Sequence, residues 1–91
     1  MSYKVLVTDS YKKKVKRFFK KHPELFKRYE KVLLIMESNP FHPSLRLHKL
    51  QGKLSEFYSV SINMEYRVVI DFIIENEKII PIDIGSHDEV Y

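Results

Sequence analysis

Cysteine is absent from all 91 residues, so neither a disulfide framework nor a thiolate metal site can be built. Glycine occurs only twice, at Gly52 and Gly85, too few for a phosphate-cradling loop or a dinucleotide fingerprint. Apolar runs reach only about five residues, as in Val32-Leu33-Leu34-Ile35-Met36, against the roughly 20 that span a bilayer. The first residues pass straight into Tyr3-Lys4-Val5-Leu6-Val7, without the apolar stretch and cleavage site of a signal peptide. A cytoplasmic protein with no membrane partner is expected. The histidines show no metal-ligand spacing such as HExxH, and neither a metal nor another cofactor is expected.

What is present is ordinary in bulk and uneven in arrangement. Hydrophobic residues make up 44% and charged residues 31%, values of a folded protein and not of a disordered one. A chain of 91 residues fills one core, so a single domain spanning 1–91 is expected. The net charge of +4 conceals two halves of opposite sign. Residues 1–50 hold 13 Lys/Arg against 4 Asp/Glu, a net of +9; residues 51–91 hold 3 against 8, a net of −5. A basic half of this kind favours polyanions or acidic partners, although lysines on helix surfaces also serve simply to solvate them.

Hydrophobic periodicity divides the chain in the same place. Tyr3–Thr8 alternates as a first strand, and Asp9 or Ser10 can cap the helix that follows. Tyr11, Val15, Phe18 and Phe19 recur at helical spacing, with lysines and Arg17 around the rest of the circumference. Pro23 suits the first turn of a second helix, whose apolar stripe is Leu25, Tyr29, Val32, Leu33 and Met36, and Asn39-Pro40 ends it. Residues 40–53 are loop, with room for a short strand within Leu45–Leu50. From there the period changes to 2. Phe57–Ile62, Tyr66–Ile74 and Ile79–Ile84 read as three antiparallel strands with short connections.

Alternation predicts one sheet face made by Tyr58, Val60, Ile62, Tyr66, Val68, Ile70, Phe72 and Ile74, continued by Ile80, Ile82 and Ile84. That face must pack on the helices. The other face, with Ser59, Ser61, Glu65, Arg67, Asp71 and Asp83, is expected to be polar and uncovered. The fold class is therefore α+β: two N-terminal helices on one face of a small, mainly antiparallel sheet, in the order β-α-α-β-β-β.

Several side chains on or near that open face can carry chemistry. Arg67 is its lone arginine, either paired with the carboxylates of Glu65 or the Asp83 neighbourhood, or clamping a phosphate with its planar fork of donors. His48 lies among Arg46, Lys49 and Lys53, a surface histidine or one set where phosphate is attracted. The last seven residues, Gly85-Ser86-His87-Asp88-Glu89-Val90-Tyr91, place an imidazole, two carboxylates and a phenol just beyond the final strand. His87 is the better proton-transfer candidate, since imidazole titrates near neutral pH. His22 and His42 stand beside prolines and read as capping or surface residues. Two histidines, an arginine, a carboxylate and a tyrosine around a basic cleft suit metal-free RNA cleavage, which needs a base, a cation and an acid.

The element order, His48-Lys49-Leu50-Gln51-Gly52, Glu65-Tyr66-Arg67-Val68-Val69 and Ile82-Asp83-Ile84-Gly85-Ser86-His87-Asp88-Glu89-Val90-Tyr91 together resemble the RelE/ParE superfamily of type II toxin–antitoxin toxins. The likeness covers essentially the whole chain and is nearest to the RelE/StbE, YafQ-like branch. It implies a ribosome-dependent endoribonuclease that cuts mRNA in the ribosomal A site and is silenced by a cognate antitoxin. By that resemblance His48 matches a catalytic histidine of YafQ-like members, and Glu65 stands where they have a catalytic aspartate. Arg67 matches the arginine on the scissile phosphate, His87 the C-terminal general acid, and Tyr91 the aromatic that orients the substrate. Arg46, Lys49 and Lys53 would bind RNA.

Departures accompany the match. YafQ-like toxins carry a further histidine where this chain has Ser61, and RelE has lysines where it has Ser59 and Ser61. The glutamate base of YoeB-like toxins falls near Ser44. The general base is then His48 or Glu65. A ParE-like gyrase inhibitor and a catalytically weak, antitoxin-binding member are the alternatives within the same fold.

Overall fold

A computed structural model describes residues 3–73 and 76–86. Strand β1 (Lys4–Val5) leads into helix α1 (Asp9–Lys21), a 3-10 turn (Pro23–Leu25) and helix α2 (Phe26–Ser38). A second 3-10 turn (Pro43–Leu45) precedes strand β2 (His48–Lys49), the short strand foreseen in that loop. A third (Gly52–Leu54) precedes the meander of β3 (Tyr58–Ser61), β4 (Tyr66–Ile73) and β5 (Lys78–Ser86). Spatially the strands run β1-β5-β4-β3-β2, with β1 parallel to β5 and the other pairs antiparallel. This is the expected α+β layering.

The first strand, Lys4–Val5, is shorter than its alternation suggests, and Thr8 at the end of the expected strand belongs to the helix. Its hydroxyl accepts from the Tyr11 N–H at 3.2 Å, so Thr8 and not Asp9 or Ser10 is the N-cap. Asp9 occupies the first turn, where its charge complements the helix dipole. Tyr11 and Phe18 from α1, and Tyr29, Val32 and Met36 from α2, form the buried helical side of the core. The two helices are joined inside it: the Tyr11 and Tyr29 hydroxyls share a 2.8 Å hydrogen bond. Tyr3 stacks on Phe72 at 5.5 Å and donates its N–H to Glu37 O, tying the chain start to the end of α2.

Facing the helices, β3 and β4 behave as their period predicts, with Val60, Ile62, Val68, Ile70 and Phe72 buried in the main core. Ile74 lies outside the described residues. On β5 the expectation fails. Ile79 and Pro81 are fully buried and Ile84 joins the same core, whereas Ile82 packs on the opposite face with Val69. The cause is a bulge: Val69 pairs with Asp83 but Ile70 with Pro81, so Ile82 is the extra residue and the alternation resets. Pro81, with no N–H to donate, sits beside that bulge and beyond the reach of β1, where a strand tolerates proline.

The second face is also not bare. Leu50 and Val69 are buried on it, with Leu54, Phe57 and Ile82 packed against them. The chain from Leu50 to Phe57 thus forms a small apolar roof, held by the Leu50 N–H to Phe57 O bond of 2.9 Å. Polar residues occupy only the remainder of this face, and there the candidate site lies.

Candidate active site

Two turns deliver the polar side chains. In the first, His42 Nδ1 accepts from the Ser44 N–H at 3.1 Å, capping the 3-10 turn at Pro43–Leu45, and the fully buried Leu45 pins it to the core. The capping role read for His42 therefore holds. The turn ends at Arg46, whose backbone is left-handed (φ 49°, ψ 47°), a conformation that costs a non-glycine residue about 1 kcal/mol or more. The chain then enters β2 with His48 opposite Ser59. In the second turn, Asn63 Oδ1 accepts from the Glu65 and Tyr66 N–H groups at 2.9 and 2.8 Å. Ser61 donates its hydroxyl to Asn63 O at 2.6 Å. That turn launches β4 with Arg67 opposite Ser61 on one side and Gly85 on the other.

Register and pleat therefore bring His48, Ser59, Ser61 and Arg67 to one patch. Arg67 Nη1 donates to the Ser59 hydroxyl at 3.2 Å and lies 3.5 Å from His48 Nδ1. Ser59 is wholly buried, so its hydroxyl acts on the guanidinium from below. His48 Nδ1 also lies 3.2 Å from the carbonyl of Arg46. These two contacts demand opposite states of one nitrogen. A carbonyl requires Nδ1–H, whereas a guanidinium, which only donates, requires a bare Nδ1. The shorter contact favours Nδ1–H, and that tautomer of the neutral ring carries its lone pair on Nε2.

The other expected site residues scatter. Glu65 is exposed in the turn before β4, its backbone held by Asn63. Arg46 is exposed, with Nη1 3.7 Å from Met64 Sδ across the two turns. Lys49 is paired with Tyr58, and so projects to the face opposite His48. Lys53 is exposed on the 3-10 turn of the apolar roof. Asp83, a possible partner of Arg67, instead lies 3.9 Å from Lys14 and accepts the Ile84 N–H. His87 and Tyr91 lie outside the described residues; Ser86, opposite Tyr66 and next to the patch, is the last described position before them.

Three contributions escaped the sequence. Ser59 serves as the acceptor that seats Arg67, and Asn63 sets the turn that delivers it. An asparagine between two strand runs signals a turn, but not what the turn aims. His22 is more than a surface group: its ring packs between Phe18 and Tyr66, 4.7 Å from each. Together with Lys14, Arg17 and Lys21 it lines a basic groove of about 300 Å³ between α1 and β5. Among the described residues no group of three His, Asp or Glu side chains is arranged to hold a metal ion.

Comparison with known proteins identifies a family through one family model and a fold through several solved structures. The model of the YafQ toxin, a bacterial toxin of type II toxin–antitoxin systems, matches residues 3–91. No curated protein sequence matches the chain. YafQ from E. coli strain BL21(DE3) shares the fold with a TM-score of 0.78 at 11% identity, over 98% of each chain. A chain of the E. coli DinJ-YafQ toxin–antitoxin complex gives 0.77 at 13%, over 100% of this chain and 99% of that one. A metal-bound toxin from Helicobacter pylori gives 0.76 at 22%, over 100% of both. Such identities speak for the fold, and the family match for descent: the chain belongs to the YafQ family of type II toxin–antitoxin toxins.

Proposed function

We propose that this toxin is an endoribonuclease that cleaves mRNA in the ribosomal A site and is silenced by a cognate antitoxin. The observation that carries the reading is the convergence of His48 and Arg67 on Ser59, on a sheet face beside the end of β5. That arrangement supplies two of the three groups that transesterification of RNA requires. His48 Nε2 removes the 2′-OH proton as the oxygen bonds to phosphorus, and the Arg67 fork stabilises the charge gathering on the phosphorane oxygens. The proton for the departing 5′-oxygen comes from His87, two residues after Gly85, the partner of Arg67. The P–O5′ bond then breaks, giving a 2′,3′-cyclic phosphate and a free 5′-hydroxyl. Glu65 is the second choice of base. Tyr91 orients the substrate, and no metal is needed for these steps.

The serines at 59 and 61 modify the site. Where relatives of this superfamily place basic groups, this chain has a buried hydroxyl holding Arg67 and another closing the adjacent turn. Positive charge at the patch thus rests chiefly on Arg67, with the exposed Arg46 and Lys53 on neighbouring turns to meet RNA. Lys49, on the opposite face, contributes no charge to the patch itself. The excess of 13 Lys/Arg over 4 Asp/Glu in residues 1–50 favours both the ribosome and an acidic antitoxin. An antitoxin partner is seen for E. coli YafQ, in the DinJ-YafQ toxin–antitoxin complex.

The test is mRNA cleavage in a purified translation system, mapped by primer extension, with His48→Ala and His87→Ala beside wild type. Cuts within ribosome-positioned codons, lost in both variants while folding is retained, are expected. A folded wild type that makes no cuts would refute the nuclease reading, and a supercoiling assay would then test gyrase inhibition.

A further inference from the structure

Arg46 adopts φ 49° and ψ 47°, well inside the left-handed region that glycine enters freely and a long side chain rarely does. Part of the explanation is local, because its N–H closes the 3-10 turn onto Pro43 O at 3.2 Å. Glycine or asparagine would serve that purpose with less strain. An arginine is held there at both ends: its carbonyl lies 3.2 Å from His48 Nδ1, and its guanidinium reaches the sulfur of Met64 at 3.7 Å. We propose that Arg46 is a positioning residue, whose left-handed backbone aims a carbonyl at His48 and thereby keeps the proton on Nδ1 and the lone pair on Nε2. Moving ψ from 47° to the extended value near 135° would turn that carbonyl by about 90° and break the contact. The Nδ1 would then be open to donation from Arg67, now 3.5 Å away, and the proton would move to Nε2, where the ring can no longer act as base.

The catalytic consequence rests on the nuclease reading above; the structural claim does not. Arg46→Gly and Arg46→Val both remove the guanidinium, so their difference isolates the backbone. Ring ¹⁵N shifts of neutral His48, read by NMR in the full chain, should show Nδ1–H in wild type and in Arg46→Gly, with Nε2–H gaining in Arg46→Val. The kcat for mRNA cleavage should be at least about tenfold lower in Arg46→Val than in Arg46→Gly, as expected when a general base is mis-set. If the valine variant does not fold, Arg46→Ala, with a milder conformational conflict, takes its place. Equal tautomer populations in the two variants, or Nε2–H already dominant in wild type, would overturn the proposal. So would an equal rise in KM with unchanged kcat, which would make Arg46 an RNA-contacting charge alone. A tautomer contrast in a protein that cleaves no RNA would uphold the positioning role and defeat the nuclease reading.

Discussion

Arg67 can be read only together with what lies beneath it. In a strand, an arginine among apolar residues could serve an ion pair, but here Asp83 is engaged by Lys14 and the guanidinium donates to Ser59. Replacing Arg67 with Ala should lower the single-turnover cleavage rate by more than about tenfold, roughly 1.4 kcal/mol of transition-state stabilisation. Unchanged rates would make it structural. Arg67→Lys should recover little, since an ammonium lacks the planar fork. A second residue-scale case is buried. Tyr29→Phe leaves the Tyr11 hydroxyl without its 2.8 Å partner in the core and should cost about 1–3 kcal/mol in urea denaturation. A loss within a few tenths would mean that water satisfies Tyr11.

Among the elements, β5 carries the clearest lesson. A strict period of 2 puts Ile80, Ile82 and Ile84 on the helix side; one bulge after Pro81 exchanges Ile80 and Ile82 for Ile79 and Pro81. Ile79→Ala, at a site with no exposure, should cost about 2–5 kcal/mol. Ile82→Ala, half-buried under the apolar roof, should cost only about 1–2 kcal/mol. Denaturation midpoints in the reverse order would place the bulge wrongly. At the bulge, Lys14 of α1 reaches the open edge of β5, where its ammonium donates to Ile82 O at 3.1 Å. That contact blunts an edge which β1 leaves unpaired beyond Ile79. Bulges follow from how two strands must twist past each other, so neither strand's sequence alone reveals them.

At the scale of the molecule, the helix–helix tyrosine pair ties stability to pH. Burial, then the charge and hydrogen bond of Tyr29 and the charge of Asp83, push the Tyr11 hydroxyl far above its ordinary 10.0. Burial likewise raises Tyr29, against the lowering effect of its bond to Tyr11. Both folded values exceed the unfolded ones, so the contribution is complete below pH 10.0 and is lost as pH rises beyond it. Above that point the unfolded chain holds fewer protons, and stability should fall by up to about 1.4 kcal/mol per pH unit for each phenol. Urea midpoints compared at about pH 9 and about pH 11 check this, with a Tyr11→Phe, Tyr29→Phe double variant separating phenols from lysines. A midpoint that falls equally in the double variant would assign the effect to the lysines.

Composition and periodicity were enough for the layering: the change from a 3.6 to a 2 period at the middle of the chain dictates two helices and then a meander. They also placed Val60, Val68 and Ile70 inside, because alternation on unbroken strands has only two phases. His48 and Arg67 could be singled out from residue type and neighbours, and the family likeness from short motifs in order. What sequence could not supply was any relation between residues distant in the chain. That Ser59 seats Arg67, that Lys49 turns away from His48, and that Leu50, Leu54 and Phe57 fold back over Val69 all depend on register and turn geometry. Those are set when strands far apart in sequence satisfy each other's backbone groups and bury their side chains together. The tertiary structure alone therefore decided which polar groups meet.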